Sequence, residues 1–302
     1  MKKLIHVLPV LASVLFVASV QATPTPVTPT PITNTATCTL DSVSITSMYT
    51  SAPPNTPVGL PPGGINATKC FGVIAGNDAQ NGTNAPDPNL GWLGDGLLNG
   101  GYLKDGYYVD PGFFLTDGST FQPLKDPNLA VDPGWVMLGS KQGVGTMDGY
   151  TIQNGANTLN INDVLTFDLK ADGTWTLLIN PNIVSILDSK GLFDRSYFDQ
   201  LAFVFKAGSG TAKKDDDKEG GWAIYDFNFN TLLNSFPGAF DLTVPYSFSG
   251  KWNTDDLGGK DISHYSIWAR DPLETTNVPL PGTVFLMGIG LLALGFMRRK
   301  AS

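Results

Sequence analysis

The middle of the chain alternates apolar and polar residues with the two-residue period of a β-strand. The clearest example is a pair of runs, 164–170 and 174–179, joined by Asp172 and Gly173. An Asp-Gly pair suits the tight turn of an antiparallel hairpin, so this segment predicts a hairpin. Further runs of the same kind predict strands at 39–49, 69–75, 102–109, 135–139, 198–205, 221–229, 243–249 and 264–269.

Short strands separated by Gly, Asp and Asn turns are typical of antiparallel sandwiches. We therefore predict an all-β, antiparallel β-sandwich or jelly-roll-like domain over residues 38–272. One or two helical turns fit 181–191, where apolar residues share one helical face. Segment 77–149 is dense in Gly, Asn, Asp and Pro and predicts mainly loops. The charged run 213–219 predicts a solvated hairpin tip.

The N-terminal end differs from the rest of the chain and predicts export. Two lysines form a basic start, residues 4–20 are almost wholly apolar, and small residues lead up to Ala22. This order predicts a secretory signal peptide over 1–22. Residues 23–37 alternate Thr with Pro and predict an extended stalk, because proline fixes φ and removes backbone donors.

The C-terminal end predicts a transmembrane helix. Residues 282–297 carry no charge. At about 1.5 Å per residue such a helix spans roughly 24 Å, somewhat less than the ~30 Å core of a bilayer. Arg298, Arg299 and Lys300 follow directly. Basic residues stay on the cytoplasmic side, so they act as a stop-transfer signal and both chain ends predict the same topology.

Four residues immediately before this helix resemble a known sorting motif. They are Val278, Pro279, Leu280 and Pro281. Together with the helix and the basic tail they resemble the PEP-CTERM sorting signal in its VPLPA variant, over residues 278–302. Leu280 stands where the commonest form has Glu, and Gly282 stands where it has Ala.

This resemblance implies a processing partner and a destination. In this family an exosortase-like membrane transpeptidase acts near the motif and passes the protein to the cell surface or extracellular matrix. Residues 278–281 are then a recognition site for another enzyme. The membrane is a partner only before processing, through the C-terminal helix.

The two cysteines of the chain are Cys38 and Cys70. In the oxidising compartment that export implies, an even pair predicts a disulfide. Closing its loop of about 33 residues gives roughly 3–4 kcal/mol of stabilisation by chain entropy. The alternatives are two free thiols or half of a metal site, although no CxxC motif and no nearby His supports a metal.

The exported part is strongly acidic. The chain has 27 Asp and Glu residues, all between Asp41 and Glu274, and 19 Lys and Arg residues, of which five lie at the two ends. The remaining 14 basic residues leave a net charge near −13 on the exported part. Nucleic-acid binding needs positive charge that displaces counterions, so we expect no nucleic-acid partner.

The sequence offers little for catalysis. His264 is the only histidine after the signal peptide, and no GxSxG, Walker loop or GxGxxG motif occurs. We therefore expect no catalytic residue, no cofactor and no metal, and a hydrogen-bonded structural role for His264. Paired carboxylates for glycan hydrolysis stay open, because their spacing is spatial rather than sequential.

Three functions follow from these observations. The first is a structural or adhesive role at the cell surface or in the matrix, in association with exopolysaccharide or biofilm. The second is a carbohydrate-binding module, in which exposed aromatic rings stack on sugars, and the third is a secreted glycan hydrolase. The stacking candidates, whose alternative role is in the core or as loop anchors, are Trp92, Tyr102, Tyr107, Tyr108 and Trp135.

Overall fold

The computed structural model describes residues 30–33, 37–78, 86, 89–103, 106–115, 133–193, 197–208, 221–238 and 241–271. The predicted signal peptide, the charged run 213–219 and the whole sorting tail 278–302 lie outside these ranges, as does most of the stalk. Within the described ranges, no helix is long and apolar enough to cross a membrane.

Strands dominate the described residues. They are β1 (Thr30–Pro31), β2 (Val43–Thr50), β3 (Ile65–Asn66), β4 (Lys69–Ile74), β5 (Tyr107–Tyr108), β6 (Trp135–Gln142), β7 (Gly145–Thr146), β8 (Asp148–Gly149), β9 (Thr151–Asn154), β10 (Asn157–Asn160), β11 (Leu165–Leu169), β12 (Thr174–Ile179), β13 (Gln200–Ala207), β14 (Trp222–Asn228), β15 (Tyr246–Trp252) and β16 (Ile262–Arg270). The α-helices are α1 (Ile183–Lys190) and α2 (Phe229–Ser235).

Most of these strands form two six-stranded sheets. The first sheet has the order β3-β2-β15-β12-β11-β7, and the second has the order β4-β14-β13-β16-β6-β8. Every pairing within the two sheets is antiparallel. β9 and β10 form a separate hairpin, and β1 pairs with β5 in parallel. The all-β antiparallel prediction is therefore confirmed for the described part of the chain.

The inner faces of the two sheets share one aromatic core. Phe167 on the first sheet lies 5.5 Å from Phe203 on the second, measured between ring centroids. Trp175 lies 5.0 Å from the same Phe203 ring. Phe203 also contacts Phe227 at 5.7 Å. Since these rings come from both sheets and are buried, the sheets pack face to face as a sandwich.

The outer face of the second sheet is also covered. Every residue of β13 and β14 is buried. The loop-rich segment 89–115 supplies the cover, and its buried side chains form a second apolar cluster with outward-facing residues of the sheet. Members of this cluster include Leu97, Leu98, Leu103, Val109, Phe114, Val204, Trp222 and Trp268. A strand buried on both faces explains why 198–205 reads as a nearly continuous apolar run.

Two asparagine side chains fasten this cover to the edge of β6. The Asn99 amide donates to the Trp135 carbonyl at 2.7 Å and accepts from the Trp135 N–H at 3.1 Å. Asn89 makes the same pair of bonds to Met137, both at 2.8 Å. Each side chain thus replaces a neighbouring strand, because it satisfies a buried N–H and C=O that would otherwise lack partners.

The strand predictions hold best where the alternation is clean. The hairpin formed by β11 and β12 is confirmed, as is α1 within 181–191. Of the strand predicted at 102–109, the described residues form a strand only at Tyr107–Tyr108. The strand predicted at 243–249 begins only at Tyr246, because Thr243 is held in a turn by bonds to the Asp241 carboxylate. The sequence did not predict α2 or the β9–β10 hairpin.

Candidate functional site

The disulfide predicted between the two cysteines is present. Cys38 and Cys70 are bonded, with their Cα atoms 6.0 Å apart. Cys70 lies on β4 of the second sheet, whereas Cys38 precedes β2 of the first sheet. The Cys38 N–H also donates to the carbonyl of Gly72 at 3.2 Å. The point where the stalk enters the domain is therefore fixed covalently to the opposite sheet.

A carboxylate reinforces the same entry point. Asp256 accepts hydrogen bonds from the Thr39 N–H at 2.8 Å, the Ser42 hydroxyl at 2.8 Å and the Tyr225 hydroxyl at 3.0 Å. Burial alone would raise the pKa of Asp256, but these bonds outweigh it and hold the pKa below its usual value. The charged form of Asp256 therefore stabilises the junction between the chain start and the sandwich.

The covering segment carries an exposed aromatic surface, which we call the tyrosine surface and define as Tyr102, Tyr107 and Tyr108. Tyr102 is 51% exposed and Tyr107 is 46% exposed. The rings of Tyr102 and Tyr108 meet edge to face with centroids 6.0 Å apart. The main chain is braced here, since the Leu103 N–H donates to the Tyr107 carbonyl at 2.8 Å.

The stalk runs beside the tyrosine surface. β1 pairs with β5 so that Thr30 lies opposite Tyr107 and Pro31 opposite Tyr108. The Ile32 N–H then donates to the Tyr108 carbonyl at 2.8 Å. Exposed phenol rings on a braced main chain offer flat apolar faces with a hydrogen-bonding edge, which is the chemistry that sugar rings require.

The remaining stacking candidates do not belong to this surface. Trp135 is 0% exposed within the outer cluster, where it contacts Phe114 at 6.1 Å between ring centroids. It cannot reach a sugar from there, so the prediction is corrected for Trp135. Trp92 is half-buried and packs against the inner core, so it serves as a loop anchor.

His264 is paired rather than free. Its Nε2 lies 2.8 Å from Asp78 Oδ1 and 3.0 Å from Asp78 Oδ2. Asp78 and His264 are both partly buried. The pairing agrees with the predicted hydrogen-bonded role of His264. Within the described ranges, no three His, Cys, Asp or Glu side chains converge as metal ligands.

One end of the second sheet holds a group of buried polar residues that the sequence reasoning missed. We call it the polar corner and define it as Asp199, Gln200, Asp226 and Arg270. Arg270 Nη1 donates to Asp199 Oδ2 at 2.9 Å, and both side chains are only 4% exposed. The available signal was a lone charge inside an apolar strand, as in the β14 sequence WAIYDFN, because buried charges are rare without a partner.

The pKa directions in the polar corner reflect its burial. Burial raises the pKa of Asp199, although the positive charge of Arg270 opposes that change. Burial, followed by the negative charge of Asp199, raises the pKa of Asp226 well above its usual value. A charge on Asp226 is therefore costly in this environment.

An apolar cavity of about 110 Å³ lies between the sheets near α1. Its walls include Met48, Leu177, Ile183, Leu201, Phe229 and Phe248.

The sorting motif Val278–Pro281 and the basic residues Arg298, Arg299 and Lys300 lie outside the described ranges. A family model, the PEP-CTERM protein-sorting motif, matches residues 277–300. That match covers the predicted motif, helix and basic tail, and it does not distinguish the VPLPA variant. No curated protein and no solved structure matches the chain.

Proposed function

We propose that this PEP-CTERM protein, exported and sorted by an exosortase-like system, is a non-enzymatic structural or adhesive component of the cell surface or extracellular matrix. The observation that carries the proposal is the sorting motif at residues 277–300. It supports an exosortase-like transpeptidase as processing partner and a membrane-anchored stage before processing. The final destination among exopolysaccharide or biofilm is the proposed step.

The ectodomain has features that suit such a role. The disulfide and the Asp256 bonds fix the stalk junction at two independent points. The central strands β13 and β14 of the second sheet are buried on both faces, which protects their backbone from proteolysis outside the cell.

The test compares the chain with a sorting-deficient variant in the producing cells. Pro279→Ala with Pro281→Ala alters the motif, whereas Pro24→Ala with Pro26→Ala is a matched control in the stalk. We expect the motif variant to accumulate in the membrane fraction and the control to reach the surface or matrix. We also expect cells lacking the protein to form a less cohesive matrix. An unchanged matrix in those cells, or normal sorting of the motif variant, would contradict the proposal.

The tyrosine surface favours a second candidate, binding of exopolysaccharide by stacking. Stacking on a sugar uses the exposed part of an aromatic ring, and Tyr102 and Tyr107 are each about half exposed. The test is binding of the producer's own polysaccharide by the purified chain. We expect Tyr107→Ala to weaken binding several-fold and Leu178→Ala, an exposed aliphatic control, to leave it unchanged. Equal binding by both variants would dismiss this surface, and turnover of the polysaccharide would favour the hydrolase instead.

A further inference from the structure

The strand register of the polar corner places two of its side chains, Gln200 and Asp226, side by side, and Asp199 directly precedes the first of them. On β13 and β14, Gln200 lies opposite Asn228 and Ala202 lies opposite Asp226. Gln200 and Asp226 are therefore diagonal neighbours on one face of the second sheet, within reach of long side chains. Asp199 directly precedes Gln200, and its charge acts on Asp226. The exposures of Asp199, Gln200 and Asp226 are 3%, 1% and 0%.

Each of these side chains has one oxygen without a hydrogen-bond partner among the described residues. The oxygens are Asp199 Oδ1, Gln200 Oε1 and Asp226 Oδ1. The other polar atom of each group is held in place. Asp199 Oδ2 accepts from Arg270 and from Asn230, both at 2.9 Å, and Gln200 Nε2 donates to the Phe114 carbonyl at 3.3 Å. Asp226 Oδ2 accepts from the Thr68 hydroxyl at 3.4 Å.

Among the described residues, Asp226 makes no direct ion pair, although the charges of Lys69 and Arg270 act on it and oppose the rise of its pKa. Lys69 is its cross-strand partner on β4, but the Lys69 ammonium donates instead to the carbonyls of Phe113 at 3.1 Å and Leu115 at 3.4 Å. Arg270 is engaged by Asp199. An unpaired carboxylate in a buried position is strongly unfavourable, so a positive species is needed beside it.

A single proton does not satisfy this set of oxygens. Protonation of Asp226 turns one unpartnered oxygen into a donor, which can satisfy one of the other two and leaves the third without a partner. A metal ion can accept all three oxygens as ligands at once. Two carboxylates and an amide are oxygen donors, which Ca²⁺ prefers, and Ca²⁺ tolerates irregular geometry with six to eight ligands. Mg²⁺ requires a stricter octahedron and retains waters, and Zn²⁺ prefers nitrogen and sulfur.

We propose that the polar corner is a structural calcium site, with Asp199 Oδ1, Gln200 Oε1 and Asp226 Oδ1 as its side-chain ligands. Main-chain carbonyls and water complete the coordination. The site closes the end of the second sheet beneath the covering segment, since Gln200 also binds Phe114 of that segment. Calcium sites of extracellular modules bind in the range of about 10⁻⁴–10⁻³ M, so an exported protein would acquire the ion outside the cytoplasm.

The test uses the full chain, purified in mild detergent, unfolded and refolded with either a chelator or CaCl₂. We expect one Ca²⁺ per chain above the buffer level when the chain is gel-filtered in buffer that contains CaCl₂, measured by elemental mass spectrometry. With free Ca²⁺ at about ten times Kd, we expect the melting temperature to rise by about 3–6 °C. Asp226→Asn should fold in the chelator, because its amide can donate to a facing oxygen, and should lose the calcium-dependent rise. Gln200→Met, which keeps the length but removes the oxygen, should reduce the rise.

Asp261→Asn changes an exposed carboxylate on the same chain and should keep the full calcium response. A wild-type chain that retains no calcium and does not change its melting temperature would overturn the proposal. A response that persists in Asp226→Asn would place the ion elsewhere and would also overturn it. A melting temperature that rises on acidification from neutral pH and does not change with calcium would show that a proton, and not a metal ion, occupies the polar corner.

Discussion

Asn99 provides the sharpest test of how the covering segment is held. The side chain is fully buried, and its amide makes three hydrogen bonds: two donated to the carbonyls of Trp135 and Asp95, at 2.7 and 2.6 Å, and one accepted from the Trp135 N–H at 3.1 Å. Asn99→Ala removes all three bonds. The N–H and C=O of Trp135 then remain buried without partners, because no strand of the described ranges lies beside Trp135 on this edge of β6.

Each buried group left unpaired costs about 1–3 kcal/mol, so two such groups on Trp135 predict a loss of about 2–6 kcal/mol in the free energy of unfolding. Urea unfolding measures this loss as a lower midpoint at constant slope. Asn157→Ala, on the exposed β9–β10 hairpin, is the matched control and should change stability by less than about 0.5 kcal/mol.

Hydrogen exchange adds a local readout for the same variant. The amides of Trp135 and Met137 should lose protection in Asn99→Ala, since the segment that covers them is released. Because that segment also carries the tyrosine surface, polysaccharide binding should weaken in parallel. A loss as small as that of the control, below about 0.5 kcal/mol, would refute the view that the Asn99 side chain takes the place of a neighbouring strand.

Three further predictions concern the disulfide, the carboxylate at the stalk junction and the sheet packing. Cys38→Ser with Cys70→Ser should lower the free energy of unfolding by about 3–4 kcal/mol, and reductant should destabilise the wild type but not this variant. Because the pKa of Asp256 is lowered in the folded state, its contribution is present above the unfolded value near 3.9 and is lost as pH falls, so Asp256→Asn should show a smaller drop in stability between about pH 5 and pH 2 than the wild type. Gly250→Ala places a Cβ against the Ser44 carbonyl and the Trp175 ring and should cost about 1–3 kcal/mol or more, whereas Gly59→Ala, with open space around it, should be nearly neutral. An unaltered urea midpoint in Gly250→Ala, or a pH profile of Asp256→Asn that matches the wild type, would contradict the corresponding contact.

The sandwich could be predicted from the sequence where one face of a strand is exposed. On β11 and β12 the alternation of the sequence matches alternation in burial, and the Asp-Gly turn fixes the hairpin register. On β13 and β14 no alternation in burial exists, because segment 89–115 covers the second face. The composition of that segment correctly indicated loops, but nothing in it indicated that Asn99 would pair with an edge strand.

For the candidate sites as well, the sequence predicts some features, whereas others depend on residues that are distant in the chain. The disulfide followed from compartment and cysteine count, which are properties of the whole chain. The burial of individual aromatic residues could not be predicted in this way. Trp135 and Tyr107 have similar surroundings in sequence, but Trp135 is buried and Tyr107 is exposed. The polar corner depends on residues from β13, β14 and β16, so only the sheet register brings them together.

The intact mass of the mature protein, recovered from producing cells and their medium, tests the central claim most directly. An exported, exosortase-sorted protein should lack residues 1–22 and the residues beyond about Pro281, and it should be found in the surface or matrix fraction. A mass that retains residues 282–302 in a membrane fraction would identify a permanently anchored protein. That result would contradict sorting to the matrix.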